Sequence, residues 1–289
     1  MRLLTFRHTD GSGRQDHRVG RLDGTGQDDD AVVEITQPQA TDVGMLLSLP
    51  DWRDLAADAD GPRHRYGDLR LAPVVPAPSK VVCVGLNYKT HILEMGRDLP
   101  EYPTLFAKFP ATLTGPHDDI AAPAEDPALD WEGELTVVVG RRARRVAESE
   151  AAAVIAGYTV ANDVSMRTWQ FRTKEWLQGK MWEASTPLGP TLVTTDEWQP
   201  GPTISTYVNG QQMQSAPTAD LLFGPEMLVA YVSTMITLEP GDLILTGTPG
   251  GVGRAMDPPT FLGDGDVLET EIDGLGRLRN RVVAEPPGR

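Results

Sequence analysis

Asp130–Val139, DWEGELTVVV, and Gly157–Asp163, GYTVAND, decide how the chain is read. Each is a short run of β-branched and apolar residues bounded by glycine and acidic residues, the composition of a buried strand. The same texture recurs at Val81–Val84, Thr191–Val193, Ser205–Val208, Asp242–Thr246 and Val267–Ile272. Helical candidates are fewer: Thr90–Met95, Glu148–Ala156, Met166–Glu175 and Pro225–Thr234. Strands outnumber helices and do not alternate with them, which argues against a doubly wound sheet. The expected class is α+β and β-rich, with a few covering helices.

Upstream the texture changes. Leu3–Arg7, Arg18–Leu22 and Ala31–Glu34 read as strands between Gly- and Asp-rich turns, followed by a helical stretch at about Val43–Ala57. The connector LAPVVPAPSK then carries Pro73, Pro76 and Pro78, a density that resists both helix and central strand. The expected division is a small β-rich N-terminal domain, 1–75, and a larger domain, 76–289.

The 289 residues include 41 Asp and Glu against 26 Lys and Arg, a formal net charge of -15. Such a chain repels phosphate backbones and anionic bilayers unless it carries a local basic patch. The one basic cluster, Arg141, Arg142, Arg144 and Arg145, is short and flanked by acids, so neither nucleic acid nor membrane is expected as a partner. A single cysteine, Cys83, permits no intrachain disulfide. It lies mid-strand in VVCVG, where it reads as core. With no apolar run near the roughly 20 residues that span a bilayer, and no signal-like N-terminus, the expected location is cytoplasmic.

Four segments hold residue types that do chemistry. Glu132 and Glu134 stand two apart at the entry to an apolar strand, so their side chains leave the same face. With Asp163, at the end of GYTVAND, they make an oxygen-only set suited to Mg²⁺ or Mn²⁺. In VCVGLNYKTHILE, His91 and Glu94 are spaced i, i+3 on a helical stretch, where a carboxylate can orient an imidazole that acts as general base. Arg167, Gln170 and Lys180 follow Asp163, and Lys180, one of only five lysines, sits beside Gly179 and apolar Met181 and Trp182. A partly buried ammonium there needs an anion. Finally, LILTGTPGGVG opens a Gly-rich loop at Gly247, whose N–H groups and Thr248 hydroxyl can bind carboxylate oxygens. No G-x-S-x-G elbow is present, which removes the usual serine-hydrolase reading.

VGLNYKTHILE, DWEGELTVVVGR, GYTVANDVSMRTWQ, GKMWEASTPLGP and LEPGDLILTGTPGGVG, in this order, resemble the fumarylacetoacetate hydrolase family over about Lys80–Val283. The resemblance implies a roll of mixed β-sheets, a metal site at Glu132, Glu134 and Asp163, and a base dyad of His91 and Glu94. It places Lys180, Arg167, Gln170 and Thr248 against substrate and implies a homodimer. Leu86 departs from the family, standing where a number of members have Arg. The expected substrate is a small anionic 2-oxo acid. In an acylpyruvate, His91 with Glu94 would take a proton from water, and the hydroxide would attack the distal carbonyl. Cleavage leaves an enolate that Mg²⁺ stabilises, with Lys180 neutralising charge or holding the carboxylate. The same enolate arises when oxaloacetate loses CO₂ or when 2-hydroxyhepta-2,4-diene-1,7-dioate shifts its double bond. Acylpyruvate hydrolysis is therefore the leading expectation, with those two reactions as alternatives. An inactive metal-binding relative is the non-enzyme alternative, disfavoured because all five residues of the metal site and the dyad are present.

Overall fold

The computed structural model describes residues 1–94 and 96–285. Their strands form a twelve-stranded sheet, a five-stranded sheet and a two-stranded ladder. From one edge the large sheet runs through Arg63–Arg65, Ala31–Glu34, Gln15–Asp23, Arg2–Thr9, Thr186–Thr194, Ile155–Asn162, Gly133–Val139, Leu243–Leu245, Val81–Gly85 and Thr104–Lys108. Arg70–Leu71 and Leu113–Thr114 pair off this path. Most pairs are antiparallel, but Leu243–Leu245 runs parallel to Val81–Gly85, so the sheet is mixed as expected. Leu113–Thr114 pairs with Thr186 and Pro187, so the chain leaving the edge strand at Lys108 crosses back to the middle of the sheet and rolls it up. The segment before Pro76 contributes five strands, and these join the remainder through Arg2↔Val193 and Leu3↔Leu192.

Every residue of Gly133–Val139 and Ile155–Asn162 is buried, because both faces of the sheet are covered. Strand alternation sends Leu135, Val137 and Val139 into a core shared with Leu228, Val229 and Val232 of the helix Pro225–Met235. It sends Val138 to the opposite face, against Val43, Leu46 and Trp52. The helix Pro225–Met235 starts with proline at its first turn, where the missing N–H costs nothing, and ends as Ile236 turns extended.

Three expected helices shorten. The stretch 43–57 splits into Val43–Leu47 and Trp52–Ala57, since Pro50 cannot donate and disfavours helix at Leu49. Glu148–Ala156 keeps only Glu148–Ala151 and a 3-10 turn, because Ile155 is claimed by the sheet. Met166–Glu175 reduces to one turn, Arg167–Gln170, with the N–H groups of Thr168 and Trp169 donated to Asp126 Oδ2. The helix expected at 90–95 is Lys89–Glu94; Met95 lies outside the described residues.

Register places the site. Glu134 pairs with Ala161 and Thr136 with Leu245, while Leu245 pairs with Cys83. The start of 133–139 and the ends of 155–162, 243–245 and 81–85 therefore meet at one margin of the sheet. The loops that leave there carry Glu132, Asp163, Gly247–Thr248 and Leu86–His91.

Candidate active site

Glu132 and Asp163 are clamped together by backbone. The Asp163 N–H donates to the Glu132 carbonyl at 2.8 Å, and the Glu132 N–H donates to Asn162 Oδ1 at 3.0 Å. Glu134, one step into the strand, turns to the same point. One oxygen from each of Glu132, Glu134 and Asp163 lies within 4.8 Å of the others. The three carboxylates read from the sequence are thus brought into one cluster.

The cluster is ringed by cations. Lys180 Nζ donates to Glu132 Oε2 at 2.7 Å and Asp163 Oδ2 at 2.8 Å. Lys108 Nζ, fully buried on the edge strand, holds Asp163 Oδ1 at 2.6 Å. Arg167 spans Asp130 Oδ2 and Glu132 Oε1, each at 2.7 Å, and its Nη1 reaches Gln170 Oε1 at 2.8 Å. Burial opposes the Asp163 charge, but the ammonium groups of Lys108 and Lys180 overcome that and hold its carboxyl below the usual aspartate range. Lys180 is pushed the other way: burial disfavours its charge, yet Asp163 and Glu132 keep its ammonium protonated more firmly than usual.

Glu134 differs from its neighbours. Its one hydrogen bond comes from the Gly247 N–H at 2.7 Å, and no cation pairs with it among the described residues. Burial, then the charges of Asp163 and Glu132, push its carboxyl well above the usual range. A buried carboxylate crowded by two others, with its free lone pairs turned to a shared point, is what a hard divalent cation relieves. The donor set therefore fits such an ion, with Glu132, Glu134 and Asp163 as its ligands.

Above the cluster opens a cavity of about 300 Å³. His91, Arg167, Gln170, Lys180 and Thr248 line it beside Leu86, Phe106 and Trp176. His91 is half-buried with its ring against the loop at Gly250. Burial lowers its pKa below the ordinary 6.5; Glu94 and Glu132 pull upward and Arg97 downward, without reversing the shift. The imidazole is therefore neutral at pH 7 and free to take a proton. Glu94 is exposed and shares no hydrogen bond with His91 among the described residues, so it reaches the ring through charge alone. Gly247 spends its N–H on Glu134, whereas Thr248 faces the cavity and accepts from Gln214 Nε2 at 2.8 Å. Leu86 adopts a left-handed backbone (φ 57°) at the turn into the His91 helix.

Several contributors escape sequence reasoning. Lys108 lies 55 residues from Asp163. Asp130 stands beside Glu132 in the sequence, but nothing there gives its role: buried completely, it accepts from Arg167 and from the N–H groups of Gly253 (2.7 Å) and Arg254 (3.0 Å), tying the Gly-rich loop to the site. Gln214 joins Thr248 to the Gly133 N–H across two sheets. Only the lysine count, five in the chain, gave Lys108 any sequence signal.

Known proteins share this arrangement of the chain. The model of the fumarylacetoacetate (FAA) hydrolase C-terminal domain matches residues 80–283. The mitochondrial oxaloacetate tautomerase Fahd2a of Rattus norvegicus is 46% identical over 216 residues, covering 74% of this chain and 69% of that protein. The human counterpart FAHD2A is 45% identical over 217 residues, covering 74% of this chain and 69% of that protein. Among solved structures, 5-carboxymethyl-2-hydroxymuconate delta-isomerase from Mycobacterium smegmatis superposes with a TM-score of 0.80 at 34% identity, covering 99% of this chain and 100% of that one. Fumarylacetoacetate hydrolase from Exiguobacterium antarcticum superposes with a TM-score of 0.83 at 34% identity, covering 98% of this chain and 100% of that one. The motif order, the rolled mixed sheet and these likenesses agree: the chain belongs to the fumarylacetoacetate hydrolase family.

Proposed function

We propose that this protein is an enzyme that interconverts the keto and enol forms of a short 2-oxo dicarboxylate of the oxaloacetate type. The observation that carries the reading is that His91 and Lys180 line one cavity of about 300 Å³ beside the carboxylate cluster. That volume suits a four-carbon diacid, and relatives at 45–46% identity are named oxaloacetate tautomerases. A divalent cation held by Glu132, Glu134 and Asp163, proposed as Mg²⁺ or Mn²⁺, would supply Lewis-acid polarisation of the 2-oxo group.

The chain's own groups account for the proton. In the keto-to-enol direction, neutral His91 accepts a proton from C3, and the C–H electron pair becomes the C2=C3 double bond. Negative charge moves to the C2 oxygen, where Lys180 offers the one N–H not donated to Glu132 or Asp163. The imidazolium then returns the proton to that oxygen, so no proton is gained or lost overall. Phe106 and Trp176, packed edge to face at 5.7 Å, wall the cavity and limit water.

Acylpyruvate hydrolysis is the second reading, favoured by the same His91, which can instead take a proton from water. Decay of the enol absorbance of oxaloacetate, followed by product analysis, separates the outcomes. Acceleration above buffer with oxaloacetate intact supports tautomerisation, and His91→Ala is expected to lower it about 10²-fold. Release of CO₂ and pyruvate at the rate of enol decay, or turnover of acylpyruvates alone, overturns it.

A further inference from the structure

The buried groups of the site carry a definite formal charge. With all four carboxyls ionised, as cation binding requires, Asp130, Glu132, Glu134 and Asp163 outnumber Lys108, Lys180 and Arg167 by one negative charge. A divalent ion on the carboxylates turns that into one net positive charge, enough for one substrate carboxylate. Every cation in this ring is already engaged with a protein carboxylate, so a second substrate carboxylate needs another partner.

Two further cations line the cavity outside this ring, Arg97 and Arg254, and Arg254 is the one whose backbone is tied to the cluster. It lines the same cavity, and its guanidinium lies 3.7 Å from the centroid of the Phe171 ring, which also lines it. Its backbone is fixed in the 3-10 turn Gly253–Ala255, where its N–H donates to Asp130 Oδ2 at 3.0 Å. That carboxylate also holds Arg167, so Arg254 is tied at a set distance from the cluster. Among the described residues its guanidinium forms no ion pair and no side-chain hydrogen bond. A guanidinium held over an aromatic ring, with no protein carboxylate on its N–H groups among the described residues, is available for bidentate carboxylate recognition.

We infer that Arg254 binds the far carboxylate of the substrate and thereby sets the preference of the site for dicarboxylates over monocarboxylates. The inference rests on the 2-oxo dicarboxylate reading above, but it is tested without turnover. Full-length protein loaded with Mg²⁺ is titrated calorimetrically with malate and with lactate, which share a 2-hydroxy acid end and differ in the second carboxylate. Wild type is expected to bind malate about tenfold tighter or better, the scale of one charge-assisted pair. Arg254→Gln is expected to erase that preference while lactate binding stays within about twofold. Absence of a preference in the wild type, its survival in Arg254→Gln, or equal weakening of both ligands overturns the inference. Loss of the preference in the variant, with no turnover of oxaloacetate by the wild type, refutes the reaction assigned above and leaves the role of Arg254 standing.

Discussion

Replacing Glu134 by Gln separates the two demands placed on that side chain. The amide keeps an oxygen for the Gly247 N–H now held at 2.7 Å, and it keeps the shape. What disappears is a carboxyl held well above its ordinary range by burial and by Asp163 and Glu132. The sign follows from linkage. A group with a raised folded pKa lowers stability as pH climbs above its unfolded value, because the unfolded chain releases the proton first. At pH 7 in EDTA, Glu134→Gln is therefore expected to melt no lower than wild type. In Mg²⁺ the order reverses. A ligand at about 100 times its Kd adds about 2.7 kcal/mol. An unfolding entropy of about 2.1 cal/mol/K per residue, over 289 residues, is about 0.6 kcal/mol/K. Wild type should then gain about 4–5 °C in Tm with Mg²⁺, and the variant almost none. Scanning calorimetry of both proteins with and without the ion is the assay. A variant that keeps the full Mg²⁺ shift would refute the assignment of Glu134 as a cation ligand, and one that loses several degrees in EDTA would refute the raised carboxyl.

Other perturbations probe different contacts. Asp130→Asn puts a donor where four N–H groups converge, and breaking a buried pair costs about 3 kcal/mol or more, or about 5 °C on the same scale; a Tm within 1 °C of wild type would show that the contact is dispensable. The acid limb of kcat/KM should titrate below the ordinary histidine value of 6.5, because burial depresses His91. Glu94→Gln should move that limb lower still, since the Glu94 charge is what pulls upward; an unchanged limb would remove His91 as the titrating base. We also propose a homodimer, for which light scattering during gel filtration should return twice the chain mass, and the mass of one chain would exclude it.

The carboxylate cluster was legible because a strand fixes its own geometry. Once Gly133–Val139 and Ile155–Asn162 are read as neighbours, Glu132, Glu134 and Asp163 have little choice of direction. Arg167 and Lys180 were nameable as candidates from position alone. Their partners were not, since an ion pair depends on which loops meet beyond the sheet. Lys108 shows the limit: TLFAK reads as an ordinary strand end, and only the rolled tertiary fold brings its ammonium to Asp163, 55 residues away. Proximity in sequence misled in the opposite sense for His91 and Glu94, whose i, i+3 spacing gave electrostatic coupling without a hydrogen bond. Helix lengths were overestimated wherever a strand or a side-chain cap competed for the same backbone, as at Ile155 and Thr168.

The pairing of Arg2 and Leu3 with Val193 and Leu192 bears on how this family's signature region can be used alone. A fragment cut at residue 80, where the family match begins, would strip the neighbour from Leu192 and Val193 at the end of Thr186–Thr194 and leave backbone groups there facing water. It would also uncover apolar surface now shared with Leu3, Val19 and Val43. An open, apolar strand edge is a template for a second copy of itself. Such a fragment is expected to self-associate during expression, however complete its active-site residues, so the first three strands act as the guard that keeps the enzyme from polymerising along its own sheet.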